Sequence, residues 1–218
     1  MNINTIYESI SGEGGIIRQG TWVTFIRTQG CSLRCSWCDT PQALEHKIPV
    51  RPDMDIGEIV QQVETKYVVI TGGEPLEQKG IEDLIYLLKL RGCVVQVETA
   101  GHMPPVGNYT FANWVVDYKC PSSNMVHRMP DILAFVRNWM GFHHIVKLVV
   151  SGQEDLDFAI EIMGQLMRYG YPEAFLVSPL NGQGEGIRSM AESIRRADEA
   201  LLDRTVFSVQ LHKLVHLP

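Results

Sequence analysis

Short apolar runs alternate along the chain with longer stretches in which apolar residues return every three or four positions. Residues 21–27, 67–70, 94–99, 114–118, 145–150, 174–178 and 207–211 are predicted strands. Several of them are apolar throughout, as expected of parallel strands covered on both faces. Between them lie predicted helices. Asp55-Ile-Gly-Glu58 has the form of a capping box and opens a helix through Ile59, Val60 and Val63. Leu84, Ile85, Leu87 and Leu88 form a second stripe that Arg91-Gly92 stops. Leu156, Ala159, Ile160, Met163, Leu166 and Met167 carry the cleanest 3.6-residue period, with Gly170 after it, and a last helix is expected over 187–202. Strand–helix alternation with right-handed crossovers gives an α/β fold built on a parallel sheet, open or curled into part or all of a barrel. No repeat or linker divides the 218 residues, so one domain, 1–218, is expected.

Composition narrows the partners. Hydrophobic residues at 45% and charged residues at 20% are ordinary for a globular protein and leave no room for a disordered or fibrous chain. The net charge of −6 argues against a nucleic-acid partner held by a broad basic surface and favours a small-molecule partner. The longest apolar runs are too short to span a bilayer, and the first residues lack the basic-then-apolar pattern of an export signal, so no membrane is expected and the location is cytoplasmic. Five cysteines, three of them within eight residues, point in such a compartment to metal or cluster ligation rather than disulfides.

Active sites of parallel α/β folds lie at the C-terminal ends of the strands. Cys31, Cys35 and Cys38 follow the first predicted strand, Thr71 to Pro75 the second and Glu98 to Gly101 the third. The Cys31-Ser-Leu-Arg-Cys35-Ser-Trp-Cys38 spacing lets one loop wrap a [4Fe–4S] cube, and three thiolates leave one iron open. An open iron can chelate the amino and carboxylate groups of S-adenosylmethionine and drive its reductive cleavage. The alternatives are a zinc site, for which Cys93, Cys120, His46 or His102 would supply the fourth ligand, and a chance grouping of buried thiols. Cys93 and Cys120 read as core residues. Gly72 and Gly73 permit close backbone approach, and Glu74 would present a carboxylate to an ammonium group; a plain strand-to-helix turn is the other reading of Gly-Gly-Glu-Pro.

The CX3CX2C loop with Trp37 before its last cysteine, together with Gly-Gly-Glu-Pro after a buried strand, resembles the radical S-adenosylmethionine superfamily. A narrower resemblance, to the 7-carboxy-7-deazaguanine synthase family, covers most of the chain: Ser11-Gly-Glu-Gly14, Phe25-Ile-Arg27, the stretch from Gly30 to Thr40, Val97-Glu-Thr99, Asp117-Tyr-Lys-Cys-Pro-Ser-Ser123 and Gln210-Leu-His-Lys213. The resemblance implies a partial, open parallel β/α barrel of about six strands. It implies a [4Fe–4S] cluster on Cys31, Cys35 and Cys38, S-adenosylmethionine against Trp37, Gly73, Glu74, Thr99, Lys119 and Ser122, and Mg²⁺ on Thr40. The family converts 6-carboxy-5,6,7,8-tetrahydropterin to 7-carboxy-7-deazaguanine with loss of ammonia, works as a homodimer and takes electrons from a flavodoxin-type donor. The pterin would then lie against Glu13, Arg27, Thr71, His212 and the terminal carboxylate of Pro218. Arg27 suits a carboxylate bidentately, Glu13 the guanidine-like edge, and Thr40 a hard cation that keeps most of its waters. Two departures stand out: Ser11 replaces the family's usual Gln, and Asn181-Gly-Gln-Gly-Glu-Gly186 is richer in glycine than expected. The rival readings are a glycyl-radical-enzyme activating enzyme, which shares the cysteine loop, and a zinc-binding interaction module without catalysis.

Overall fold

The β-branched runs pair into one eight-stranded sheet in which every strand lies beside its sequence neighbour. In order these are β1 (Ile3–Ile10), β2 (Trp22–Thr28), β3 (Tyr67–Gly72), β4 (Val94–Thr99), β5 (Asn113–Asp117), β6 (His144–Val150), β7 (Phe175–Pro179) and β8 (Thr205–Phe207). Strands β1 and β2 are antiparallel, and every later pair is parallel. The computed structural model describes residues 1–46, 53–105, 112–170, 174–180 and 184–217. Pro218 and residues 181–183 of the glycine-rich loop lie outside them.

Helices α1 (Ile56–Gln61), α2 (Ile81–Leu90), α3 (Ile132–Trp139), α4 (Gln153–Arg168), α5 (Gly184–Ala197) and α6 (Glu199–Asp203) connect the strands, and α7 (Leu211–Leu214) follows the last. One face of the sheet is covered by them: Val68, Ile70, Val95, Val97, Trp114, Val116, Val146 and Leu148 pack with Ile59, Leu84, Leu88, Phe135, Trp139, Met163 and Leu166. Because side chains alternate across a strand, the intervening positions point to the other face. There Phe25, Arg27, Thr71, Glu98, Val115, Asp117, Lys147 and Val149 line a concave cavity. The parallel sheet is therefore apolar on its helix side and chemically mixed on its inner side.

Strands β2 to β7 form the expected six-stranded parallel core, and the sheet is open, with β1 and the short β8 at its two edges. β1 was not expected, because its apolar positions do not keep a clean two-residue period. α3 was not expected either, although Ile132, Phe135, Val136 and Trp139 are spaced for one helical face and Asp131 caps it by accepting from Ala134 N–H at 2.8 Å. The helix expected over 187–202 is broken at Asp198, whose side chain accepts from Ala200 N–H at 2.9 Å and starts α6. The strand expected over 207–211 is corrected: the sheet pairing ends as Ser208 N–H reaches Val177 O, and Leu211 N–H turns to Gly12 O at 2.9 Å to begin α7. The C-terminal segment thereby returns to the β1 side of the open sheet. Among the described residues no helix is long and apolar enough to cross a membrane.

Candidate active site

The cysteine loop leaves the C-terminal end of β2, and hydrogen bonds that do not involve the cysteine sulfurs hold its backbone. Gly30 N–H donates to Ala43 O at 2.7 Å, Cys31 N–H to Leu44 O at 3.1 Å, Ser36 N–H to Ser123 O at 3.1 Å and Cys38 N–H to Cys35 O at 3.2 Å. Ser32 N–H donates to the Glu77 carboxylate at 3.0 Å, and the Arg34 guanidinium reaches Cys31 O at 2.6 Å. The loop so fixed puts Cys31, Cys35 and Cys38 on one wall of a cavity of about 430 Å³. Burial pushes the Cys31 thiol up to about 12 and raises that of Cys35, so a cationic partner is what would draw off their protons.

These donors fit an iron–sulfur cluster with an open iron. Among the described residues no three Cys, His, Asp or Glu groups gather around a point that one metal ion could fill. The candidates for a fourth ligand are engaged elsewhere. Cys93 and Cys120 belong to the apolar core. His46 and His102 both face Glu77, at 3.2 Å each, and the hydrogen bonds from His102 and Ser32 outweigh burial and hold that carboxyl down at about 2.

Gly-Gly-Glu-Pro packs against this loop by backbone. Gly73 N–H donates to Thr28 O at 2.9 Å and Glu74 N–H to Gly30 O at 2.8 Å. A Cβ on Gly73 would stand 2.0 Å from Gly30 O and 2.8 Å from Ala43 O, so only glycine permits the approach. The Glu74 side chain is held by its neighbours in the fold. It is 1% exposed, does not line the cavity, and accepts from Thr99 Oγ1 at 2.6 Å, Ala100 N–H at 2.9 Å and Leu76 N–H at 3.0 Å. Its carboxylate fastens the end of β4 to the turn after β3, and Gly72, Gly73, Thr99 and Ala100 of these two segments face the cavity.

Ser122 is held in the same way. Its hydroxyl accepts from Trp37 Nε1–H at 2.9 Å and donates to Asp155 at 2.6 Å, and it too does not line the cavity. Asp155, buried at the start of α4, also accepts from Ser122 N–H and from Ser151 N–H and Oγ, and these bonds outweigh burial and lower its carboxyl below the usual range. Ser122 therefore orients Trp37. Lys119 lies 5.1 Å from the centre of the Trp37 ring and 2.9 Å from Asp117; burial disfavours its charge, but Asp117 and Cys35 together raise its pKa.

The opposite side of the cavity carries a second polar group. Glu13, on the loop after β1, pairs with Lys147 of β6 and accepts from Gln210 at 2.7 Å. Burial alone would raise Glu13, but Lys147 and Gln210 together hold the carboxyl low; burial likewise disfavours the Lys147 ammonium, and Glu13, Asp117 and Glu98 together raise it. Glu98 stands next to this pair, and burial, with the Glu13 charge adding to it, pushes its carboxyl up to about 7. Thr71 hydrogen-bonds to Glu98. Arg27 donates to Thr40 Oγ1 at 2.9 Å and to Tyr7 OH at 2.8 Å, and Thr40 donates to Asp39 at 3.1 Å. The Thr40 side chain makes no cap to the Pro41–Ala43 turn, so its hydroxyl belongs to the cavity. His212 lines the cavity from α7, burial lowering its pKa, and Lys213 reaches Asp39 at 3.3 Å. Ser11 does not line the cavity; it is 2% exposed and its backbone pairs with Thr21 and Gly20.

Sequence reasoning placed Cys31, Cys35, Cys38, Trp37, Thr40, Gly73, Thr99, Lys119, Glu13, Arg27, Thr71 and His212, all of which line this one cavity. It assigned no role to Lys147, Glu98, Asp39, Asp117 or Gln210. A lone lysine inside the apolar run 145–150 was a signal for the first; the others stand inside the matching motifs, and their own parts showed only once the strands were assembled.

Glu98 carries a pH dependence whose sign is fixed. A carboxyl raised from 4.5 to about 7 binds its proton more tightly folded than unfolded. Its contribution to stability is fully present below 4.5 and is lost as pH rises through about 7. Glu98→Gln is expected to flatten this slope, leaving Tm close to that of the unsubstituted protein at pH 5 and raising it at pH 8. Parallel Tm–pH curves from thermal denaturation would contradict the assignment.

The Radical SAM superfamily model matches residues 25–110. A 7-carboxy-7-deazaguanine synthase of Clostridium acetobutylicum is 32% identical over 97% of this chain and 94% of its own length. One of Methanospirillum hungatei is 31% identical over 100% of this chain and 86% of its own. Among solved structures, QueE from Escherichia coli superposes with a TM-score of 0.72 at 22% identity, covering 96% of this chain and 93% of that one, which speaks for the fold.

Proposed function

The chain belongs to the 7-carboxy-7-deazaguanine synthase family of the radical S-adenosylmethionine superfamily, and we propose that it performs that family's ring contraction, from 6-carboxy-5,6,7,8-tetrahydropterin to 7-carboxy-7-deazaguanine with loss of ammonia. The observation that carries the reading is one cavity whose two sides differ: three thiols on one, a cluster of acids and cations on the other. The cluster and S-adenosylmethionine, when bound, supply the chemistry that removes a hydrogen atom from an unreactive carbon.

This chain's own residues bind, orient and enclose. Cys31, Cys35 and Cys38 hold the cluster, and Trp37, Gly73, Thr99 and Lys119 face the cofactor, with Ser122 and Glu74 acting through Trp37 and Thr99. Arg27 exchanges its bonds to Thr40 and Tyr7 for the pterin carboxylate, which its planar fork suits. Glu13 and Thr71 take the N–H edge of the ring, and Thr40 offers an oxygen to Mg²⁺. His212, with Gln210 and Lys213 beside it, closes the cavity against water. The remaining elements of the proposal are action as a single domain over 1–218, a homodimer, a flavodoxin-type electron donor and a cytoplasmic location.

The test is direct. Anaerobically reconstituted protein given S-adenosylmethionine, reductant and the carboxypterin should yield, by mass spectrometry, the product with ammonia lost. Cofactor cleavage without that product would discard the substrate assignment.

A further inference from the structure

One buried polar side chain behind the cavity wall, bonded to Glu98 but not itself lining the cavity, has no part in the chemistry above. Gln96 lies in the middle of β4 with 0% exposure, between Val95 and Val97, which face the apolar core. It precedes Glu98 by two residues and so shares its inner face. An amide buried this deeply costs stability unless both of its ends are satisfied. Its Oε1 accepts from Ile17 N–H at 3.0 Å, and its Nε2 donates to Gly14 O at 3.4 Å and to Glu98 Oε1 at 3.3 Å.

Gly14 and Ile17 bound the turn that immediately follows Glu13. The turn sits hard against β4: a Cβ on Gly15 would stand 2.5 Å from Gln96 Oε1 and 2.8 Å from Val115 Cγ2, at a φ of +141°. Glu13 itself reaches Lys147 and Gln210. One amide thus ties down the loop that carries one acid and the carboxyl of the other.

We propose that Gln96 is a positioning residue for the pterin side of the cavity, fixing the Glu13 loop and the Glu98 carboxyl together so that both acids meet one edge of the substrate. The proposal rests on the reading that this cavity takes the carboxypterin. The cysteine wall is held by different bonds, through Ala43, Leu44, Ser123 and Glu77, none of them to Gln96. Loss of Gln96 therefore separates the two halves of the cavity, weakening pterin binding while S-adenosylmethionine binding stays.

Two variants test this. Gln96→Leu keeps most of the volume and removes all three bonds; Gln96→Glu keeps the acceptor for Ile17 N–H and loses the donors to Gly14 and Glu98. Calorimetry on cluster-reconstituted protein without reductant measures the Kd of the carboxypterin and, separately, of S-adenosylmethionine. Either variant is expected to weaken the pterin by about 10- to 100-fold and S-adenosylmethionine by less than about 2-fold, with KM for the pterin rising in step. Unchanged pterin affinity in a folded variant, or equal loss for both ligands, would overturn the positioning role. Failure of the unsubstituted protein to bind the pterin would overturn the functional reading, and this proposal with it.

Discussion

A Cys35→Ala protein is expected to fold as the unsubstituted chain does and to form no measurable product. The thiol lines the cavity wall, and the loop around it keeps its shape through bonds made by other atoms: Ser36 N–H and Trp37 Nε1–H reach the Pro121–Ser123 turn, and Gly30 and Cys31 reach the Pro41–Ala43 turn and Leu44. Removing one sulfur from a half-buried position leaves these intact. Two thiolates do not retain a four-iron cluster, so product formation should fall by at least about a thousandfold, about 4 kcal/mol in barrier terms. Thermal denaturation of the metal-free proteins should show transitions within about 2 °C of each other, a difference of well under 1 kcal/mol. Retained turnover would remove the cluster from the account, and a collapsed fold would show that the loop depends on its sulfurs.

Lys147→Met should damage the protein differently, through stability first. Lys147 faces Glu13, Asp117 and Glu98, and its side chain is 13% exposed while that of Glu13 is 19% exposed. Its removal leaves Glu13 and Glu98 in a partly enclosed space with no ammonium beside them, while Asp117 keeps Lys119 at 2.9 Å. Breaking one member of such a pair costs about 3 kcal/mol, the lower part of the range for buried pairs, since these face a cavity. The cost should shrink as pH falls and the acids take up protons, beginning with Glu98, whose carboxyl already sits at about 7. Urea denaturation at pH 8 and pH 5.5 measures both values. A loss below about 1 kcal/mol at pH 8 would mean that the ion pair does not organise the cavity.

Much of the fold was legible because its outer face is simple. Val68, Ile70, Val95, Val97, Val146 and Leu148 advertise strands whatever lies opposite, and α4 repeats its apolar residues without interruption. The edges were harder: β1 gains its partner only by folding back on β2, and the C-terminal segment forms α7 because Leu211 meets Gly12, far away in sequence. The cysteine loop was readable because its ligands are consecutive. Ser122 and Glu74 were legible as motif residues, but the groups that hold their side chains are known only after assembly. Asp155 comes from 33 residues beyond Ser122, and Thr99 from 25 beyond Glu74. That Lys147 and Glu98 meet on the inner face of the parallel sheet was hidden, because each lies among apolar neighbours that point the other way.

Everything proposed for this cavity begins with an iron that the protein leaves for S-adenosylmethionine. Electron paramagnetic resonance of the reduced, anaerobically purified protein, with iron and sulfide counted on the same sample, reads that iron directly. About four irons and four sulfides per chain are expected, with a cluster signal that changes when S-adenosylmethionine is added and shows coupling to ¹⁵N placed in its amino group. One zinc and no sulfide, or a cluster signal indifferent to the cofactor, would contradict it.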